Sequence, residues 1–232
     1  MSVKRTLSAL LYNDSRDKYE KERNIDVVGS PSDSDWNRWA MLHSSKTNEG
    51  DELYRLYCFQ HGTNDTLYQF GYNEKADQYE FGYKSDKVLK IKGVSPQLDT
   101  ATFAMLHDGE NYRLYFLDFL NPHRLHQFVY DGFQYVIEAS NPIMDLVGLS
   151  PSVDTRRMAM ASDNGISYEL YLFEQGKKGH LLHAMYEEQH NTYDVTDRIP
   201  LGVDLNEADI TSFSLLQDGE DYWCYFLNWL DE

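Results

Sequence analysis

The run Phe103-Ala104-Met105-Leu106-His107-Asp108-Gly109 decides how this sequence is read, because it recurs. It is echoed by Trp39-Ala40-Met41-Leu42-His43, by Met158-Ala159-Met160-Ala161 and by Phe213-Ser214-Leu215-Leu216. An aspartate stands four residues before each copy, at Asp35, Asp99, Asp154 and Asp209, at intervals of 64, 55 and 55 residues. A glycine lies further upstream each time, at Gly29, Gly93, Gly148 and Gly202. In three copies Ser-Pro separates the glycine from the aspartate. Self-similarity at a fixed spacing of this size marks a repeat architecture.

The echo extends downstream. Tyr-x-Leu-Tyr occurs at Tyr54–Tyr57, Tyr112–Tyr115 and Tyr168–Tyr171, with Tyr222-Trp223-Cys224-Tyr225 in the last copy. A leucine follows at Leu67, Leu125 and Leu181, then tyrosines at Tyr72, Tyr130 and Tyr186 and again at Tyr79, Tyr135 and Tyr193. The last copy stops halfway. Its missing half is at the other end of the chain, where Leu7, Tyr12, Tyr19 and Gly29 align with Leu67, Tyr72, Tyr79 and Gly93. A linear solenoid carries capping repeats at its ends, so complementary halves predict a closed ring of four units.

Each unit reads as strands. Asp108-Gly109, Asn164-Gly165 and Asp218-Gly219 are hairpin-turn signals, as is Asp131-Gly132 between two later apolar runs. The first unit has a longer loop there, over 44–51. No segment keeps the spacing of an amphipathic helix. The expectation is an all-β, four-bladed β-propeller with four antiparallel strands per blade, its ring closed by N-terminal strands that complete the C-terminal blade. The blades span approximately 30–92, 93–147, 148–201, and 202–232 together with 1–29, in one domain.

Four repeats, this chain length and an aspartate at the entry to each first strand resemble the hemopexin-like four-bladed propellers. The resemblance implies a narrow central tunnel ringed by the first-strand entries, at the positions of Asp35, Asp99, Asp154 and Asp209, where ions are often held. The repeat is longer than the hemopexin repeat, and the cysteine pair that ties first blade to last is absent.

Composition excludes several classes. A formal charge of −17 and a pI near 4.7 exclude nucleic acid as a partner, since a basic surface supplies that affinity, and disfavour anionic membranes. At 41% hydrophobic and 14% aromatic the chain is too apolar to be disordered. No signal-peptide core or bilayer-length apolar window is present, so the chain reads as cytoplasmic. Cys58 and Cys224 sit in apolar runs and read as buried, reduced thiols.

Two sets of residues are candidates for a site. The four aspartates could converge as an electronegative ring for a small cation or amine, or each could cap its own Ser-Pro-x-x-Asp loop. Departures from the repeat are the second pointer. Trp36 replaces Thr100, Thr155 and Ile210, and Trp229 replaces Phe119, Gln175 and His61. A propeller face carrying Trp36, His61, Phe119, His123 and Trp229 beside the aspartates would suit a protein contact first and a stacked small ligand second. The histidines show no zinc spacing and read as scattered surface residues, and no nucleophile, phosphate or dinucleotide motif is present. Sixteen of the 18 tyrosines fall on four repeated positions, which reads as packing between blades.

These observations favour a non-catalytic binding or protein-interaction module, without a cofactor apart from a cation in the tunnel. The alternative is a lectin-like propeller that binds a carbohydrate or small cation on the aspartate face. An enzyme using tunnel-mouth carboxylates comes third. The partner is a protein or a small ligand, and a homodimer fits either.

Overall fold

A computed structural model describes residues 3–13, 15–16, 18–44, 53–84, 86–149, 153–162, 167–174, 180–201, 209–218 and 221–228. Among them every regular element is a strand, and together the strands build a β-propeller. The chain opens with β1 (Val3–Asn13) and β2 (Lys18–Ser30). A first unit follows: β3 (Ser34–Ser44), β4 (Leu53–Gln60), β5 (Thr66–Asn73), β6 (Gln78–Phe81) and β7 (Val88–Lys92). The second holds β8 (Leu98–His107), β9 (Tyr112–Asp118), β10 (Arg124–Tyr130), β11 (Gln134–Ile137) and β12 (Ile143–Val147). The third has β13 (Val153–Ser162), β14 (Tyr168–Glu174), β15 (His180–Glu187) and β16 (Thr192–Pro200), and the chain closes with β17 (Asp209–Asp218) and β18 (Asp221–Asn228).

Pairing follows the repeat residue by residue. Leu67, Leu125 and Leu181 lie opposite Phe59, Leu117 and Phe173, and Leu7 of β1 lies opposite Leu227 of β18 in the same register. β1 and β18, from the two terminal half-repeats, are thus neighbours in one sheet. The strands that begin each unit are apolar on both faces, because each packs against the equivalent strands on either side: β3 on β8, β8 on β13, β13 on β17 and β17 on β3. The Met41 N–H donates to Ser214 Oγ at 2.8 Å across one of these boundaries. Met41, Met105, Met160 and Leu215 are all buried and line an axial void of only about 10 Å³. That is no more than a single water needs, so this level of the axis is packed side chain rather than an open tunnel.

The outer edges are joined as well. β2 runs parallel to β6, β7 to β11 and β12 to β16, while Tyr19 bridges Leu201. The junction residue is the same tyrosine each time, Tyr79, Tyr135, Tyr193 or Tyr19, and all four are buried. Each of the four apolar clusters spans a boundary between neighbouring units, so the core lies between units rather than inside them.

One expectation needs correction. Units one and two do not have four strands, because their outermost strand is broken into β6 and β7, and into β11 and β12. The break turns on a single residue of the neighbouring strand. Gly82 N–H donates to the Gln69 carbonyl at 2.9 Å, and Gln69 N–H to the Lys87 carbonyl at 3.1 Å. Glu138, Gln127 and Pro142 repeat the arrangement at 2.9 Å each. Gly82 has φ +69°, a left-handed conformation that glycine adopts without strain. In the third and fourth units β16 and β2 run through with only register shifts.

Candidate functional site

The sixteen repeated tyrosines converge at the unit boundaries. At each, the second tyrosine of one Tyr-x-Leu-Tyr motif meets three tyrosines of the next unit. Between units one and two Tyr57 meets Tyr112, Tyr130 and Tyr135 around a cavity of about 310 Å³, which Arg55, Gln69, Asp86 and Leu89 complete. Between units two and three the same positions are Tyr115, Tyr168, Tyr186, Tyr193, Arg113, Gln127, Asn141 and Met144, and the cavity is only about 130 Å³. The first is within the size range of small-molecule sites and the second is below it. Burial raises the pKa of Tyr57 and Tyr135, and burial followed by the charge of Asp86 raises that of Tyr130. These phenols are thus neutral hydrogen-bond donors at physiological pH.

What differs between the two cavities is how the arginine is held. Arg113 donates to Asp108 and, at 3.2 Å, to Glu138. The structural equivalent of Glu138 is Gly82. Arg55 reaches the Lys84 carbonyl at 3.3 Å, an exposed hydrogen bond at the rim. Asp86 replaces Asn141, whose amide donates to Tyr186 at 3.4 Å and to Asn191 at 2.5 Å and so helps fill the second cavity.

The other two boundaries are occupied from within. Between the third and fourth units the arginine position is Glu169, which is 6% exposed and accepts from Tyr171 at 2.5 Å and from Tyr222 at 3.3 Å. His183 Nε2 lies 3.3 Å from the same carboxylate, and its ring stacks on Tyr171 at 4.8 Å. Burial pushes the Glu169 pKa up, but the hydrogen bonds from His183 and Tyr171 outweigh it and hold the group below its usual value. Between the fourth unit and the first, Trp223 takes the position and lies beneath the Arg23 guanidinium, 5.8 Å away. Arg23 pairs with Asp77 at 3.3 Å, and Tyr72 donates to that same carboxylate.

The aspartates are engaged close to home. Asp35 accepts from Asn37 N–H at 3.2 Å and from Arg38 Nε at 2.7 Å, Asp99 from Ala101 N–H at 3.0 Å, and Asp154 pairs with Arg157 at 3.1 Å. Each opens a bulge in its strand, at Asp35/Trp39, Asp99/Ala104, Asp154/Met158 and Asp209/Phe213. The Asp209 side chain and Trp229 lie outside the described residues. Among those described, no three His, Cys, Asp or Glu side chains gather as a metal site.

Trp36 is placed differently from expectation. It is 7% exposed, packs at a tilt against Phe70 with ring centroids 5.5 Å apart and donates to Ser30 Oγ at 3.3 Å, so it is a core residue of the fourth-to-first boundary. His61 and His123 are exposed, and Phe119 is 67% exposed next to Leu120 at 78%. Two histidines read as surface residues are packed instead: His107 is buried beside Ser44 at 3.3 Å, and His43 Nδ1 lies 2.5 Å from the Gln217 carbonyl. Cys58 and Cys224 are both free and buried.

Arg55, Gln69 and Asp86 escaped the sequence reading. The signal was present in the variable residue of Tyr-x-Leu-Tyr, which runs Arg55, Arg113, Glu169, Trp223 around the units.

No protein-family model matches the chain, and no curated protein sequence matches it. Similar solved structures include a mutant of the Aleuria aurantia lectin in complex with Fucα1-6GlcNAc, at 11% identity and TM-score 0.44, covering 96% of this chain and 71% of that one. The same lectin with α-methyl-L-fucoside gives 11% identity and 0.44, covering 96% and 70%. AofleA from Arthrobotrys oligospora gives 12% and 0.41, covering 93% and 64%. At these identities and TM-scores no residue of a site transfers.

Proposed function

We propose that this chain is a four-bladed β-propeller, closed by its N-terminal strands, that binds a small hydroxyl-rich ligand of the carbohydrate class without transforming it. The four-unit count is supported by the cyclic packing of β3, β8, β13 and β17 and by the β1–β18 pairing. The likeness to hemopexin-like propellers is one of topology. The site is the cleft between the first two units, and its openness carries the reading: one tyrosine-walled boundary holds about 310 Å³ while its nearest equivalent holds about 130 Å³. Aromatic walls take the apolar face of a sugar ring, and Arg55, Gln69, Asp86 and the neutral phenols supply donors and acceptors for hydroxyls. The proposal places the ligand on the side of the blades rather than on the aspartate face.

Calorimetric titration against a monosaccharide panel tests this. Binding should be lost in Tyr112→Ala and kept in Asp99→Ala; loss in Asp99→Ala alone would return the site to the aspartate face. A second reading, a protein-interaction module, is favoured by Phe119, Leu120 and Phe133, the last 87% exposed, all on the second unit. It predicts no sugar binding, together with a partner that Phe133→Asp abolishes.

A further inference from the structure

The molecule contains two versions of one arginine site, and the comparison indicates what the open one takes. Between units two and three Arg113 lies at the bottom of a tyrosine-walled cleft. Two carboxylates cover it, Asp108 from the turn before β9 and Glu138 from the end of β11, the latter at 3.2 Å. Glu138 is held in turn by Ser140, whose N–H and hydroxyl donate at 3.1 and 2.9 Å. Between units one and two the tyrosines, glutamine and arginine are kept, but the Glu138 position is Gly82. Both residues make the same backbone bond to the neighbouring glutamine, at 2.9 Å each, so the backbone is equivalent and what differs at this position is the carboxylate side chain; the counterpart of Asp108 lies in 45–52, outside the described residues. The cleft without it is the larger one.

We infer that the open cleft receives a carboxylate from its ligand, set against Arg55 as Glu138 is set against Arg113. This rests on the binding reading above and specifies it: the ligand is an acidic sugar of the hexuronate type rather than a neutral one. A guanidinium presents a planar fork that matches a carboxylate, and such charge-assisted bonds are about twice as strong as neutral ones. Asp86, exposed at the rim of the same cleft, opposes a second negative charge there. It accepts from hydroxyls instead. One carboxylate at the Arg55 end and hydroxyls toward Asp86 describe a hexuronate, whereas a dicarboxylate or a phosphate would bring charge against Asp86.

The experiment is a calorimetric titration of the full chain with methyl glycosides of glucuronic and galacturonic acid and of their neutral parents, glucose and galactose. The acids should bind tighter by on the order of tenfold or more, as expected for a charge-assisted contact. Arg55→Gln should erase that preference while leaving the weaker, shared affinity. Equal binding of acids and neutral parents would overturn the carboxylate inference and leave the carbohydrate reading standing. No binding by any glycoside, with Arg55→Gln as stable as the parent chain, would overturn both.

Discussion

Two boundaries of this molecule, first-to-second and third-to-fourth, share a tyrosine framework and use it in opposite ways. At the third-to-fourth boundary Glu169 draws in Tyr171, Tyr222 and His183 and the cleft closes on its own polar groups. At the first-to-second boundary Arg55 and Gln69 face a cavity. The packing beneath is unchanged, since Tyr19 and Tyr135 are equally buried at the two junctions. A repeated scaffold thus separates the residues that hold neighbouring units together from the one variable position that fills or opens the space above them.

The comparison can be broken at its base. Tyr135→Ala and Tyr19→Ala each remove a fully buried ring, and chemical denaturation should show both losing about 3–5 kcal/mol. A loss at one boundary only would mean that the junctions are not equivalent. Next in size is Glu169→Ala, which leaves the hydroxyls of Tyr171 and Tyr222 without their buried acceptor and should cost about 3 kcal/mol. Sugar binding at Arg55 should survive it wherever the chain remains folded.

The pH dependence sharpens the same contrast. Glu169 is held below its usual pKa in the folded chain, so its contribution is present above the unfolded-state value of 4.5 and is lost as pH falls through the lower folded one. Thermal melts should therefore drop below about pH 4.5. Glu169→Gln should make that drop shallower, and an unchanged slope would remove Glu169 from the acid response. Asp108 and Glu138 are also held low, each against its own burial, by hydrogen bonds from backbone N–H groups and by Arg113, so part of the drop remains in that variant. The smallest effect separates the arginines: Arg113→Ala should cost about 1–2 kcal/mol through its two partly buried carboxylates, and Arg55→Ala less than half of that. Equal losses in urea titrations would show Arg55 to be a structural residue.

The repeat was legible because packing imposes it on every copy. Leu7, Leu67, Leu125 and Leu181 occupy one register in the sheet, and the aligned halves at the chain ends do pair. The structural role of the tyrosines was legible for the same reason. What stayed hidden depends on partners that lie on other strands. Trp36 looked like a departure suited to a face, yet Phe70 and Ser30 supply an internal site that no local pattern announces. The breaks after β6 and β11 come from hydrogen bonds to Gln69 and Gln127, residues of the neighbouring strands β5 and β10. The cleft is made by two consecutive repeats, so reading each repeat down its own column separates Arg55 from the tyrosines it faces.

The β1–β18 pairing has a kinetic consequence. Leu7 pairs with Leu227, which is made long after it. Until β18 is made, β1 and β2 are a hairpin without its inner neighbour, while the first, second and third units can already assemble on one another. Closing this sheet is then a docking of β1 onto the much later β18. Contacts so distant in sequence are slow to form, and the unpaired β1 edge is the surface most exposed to mispairing until they do.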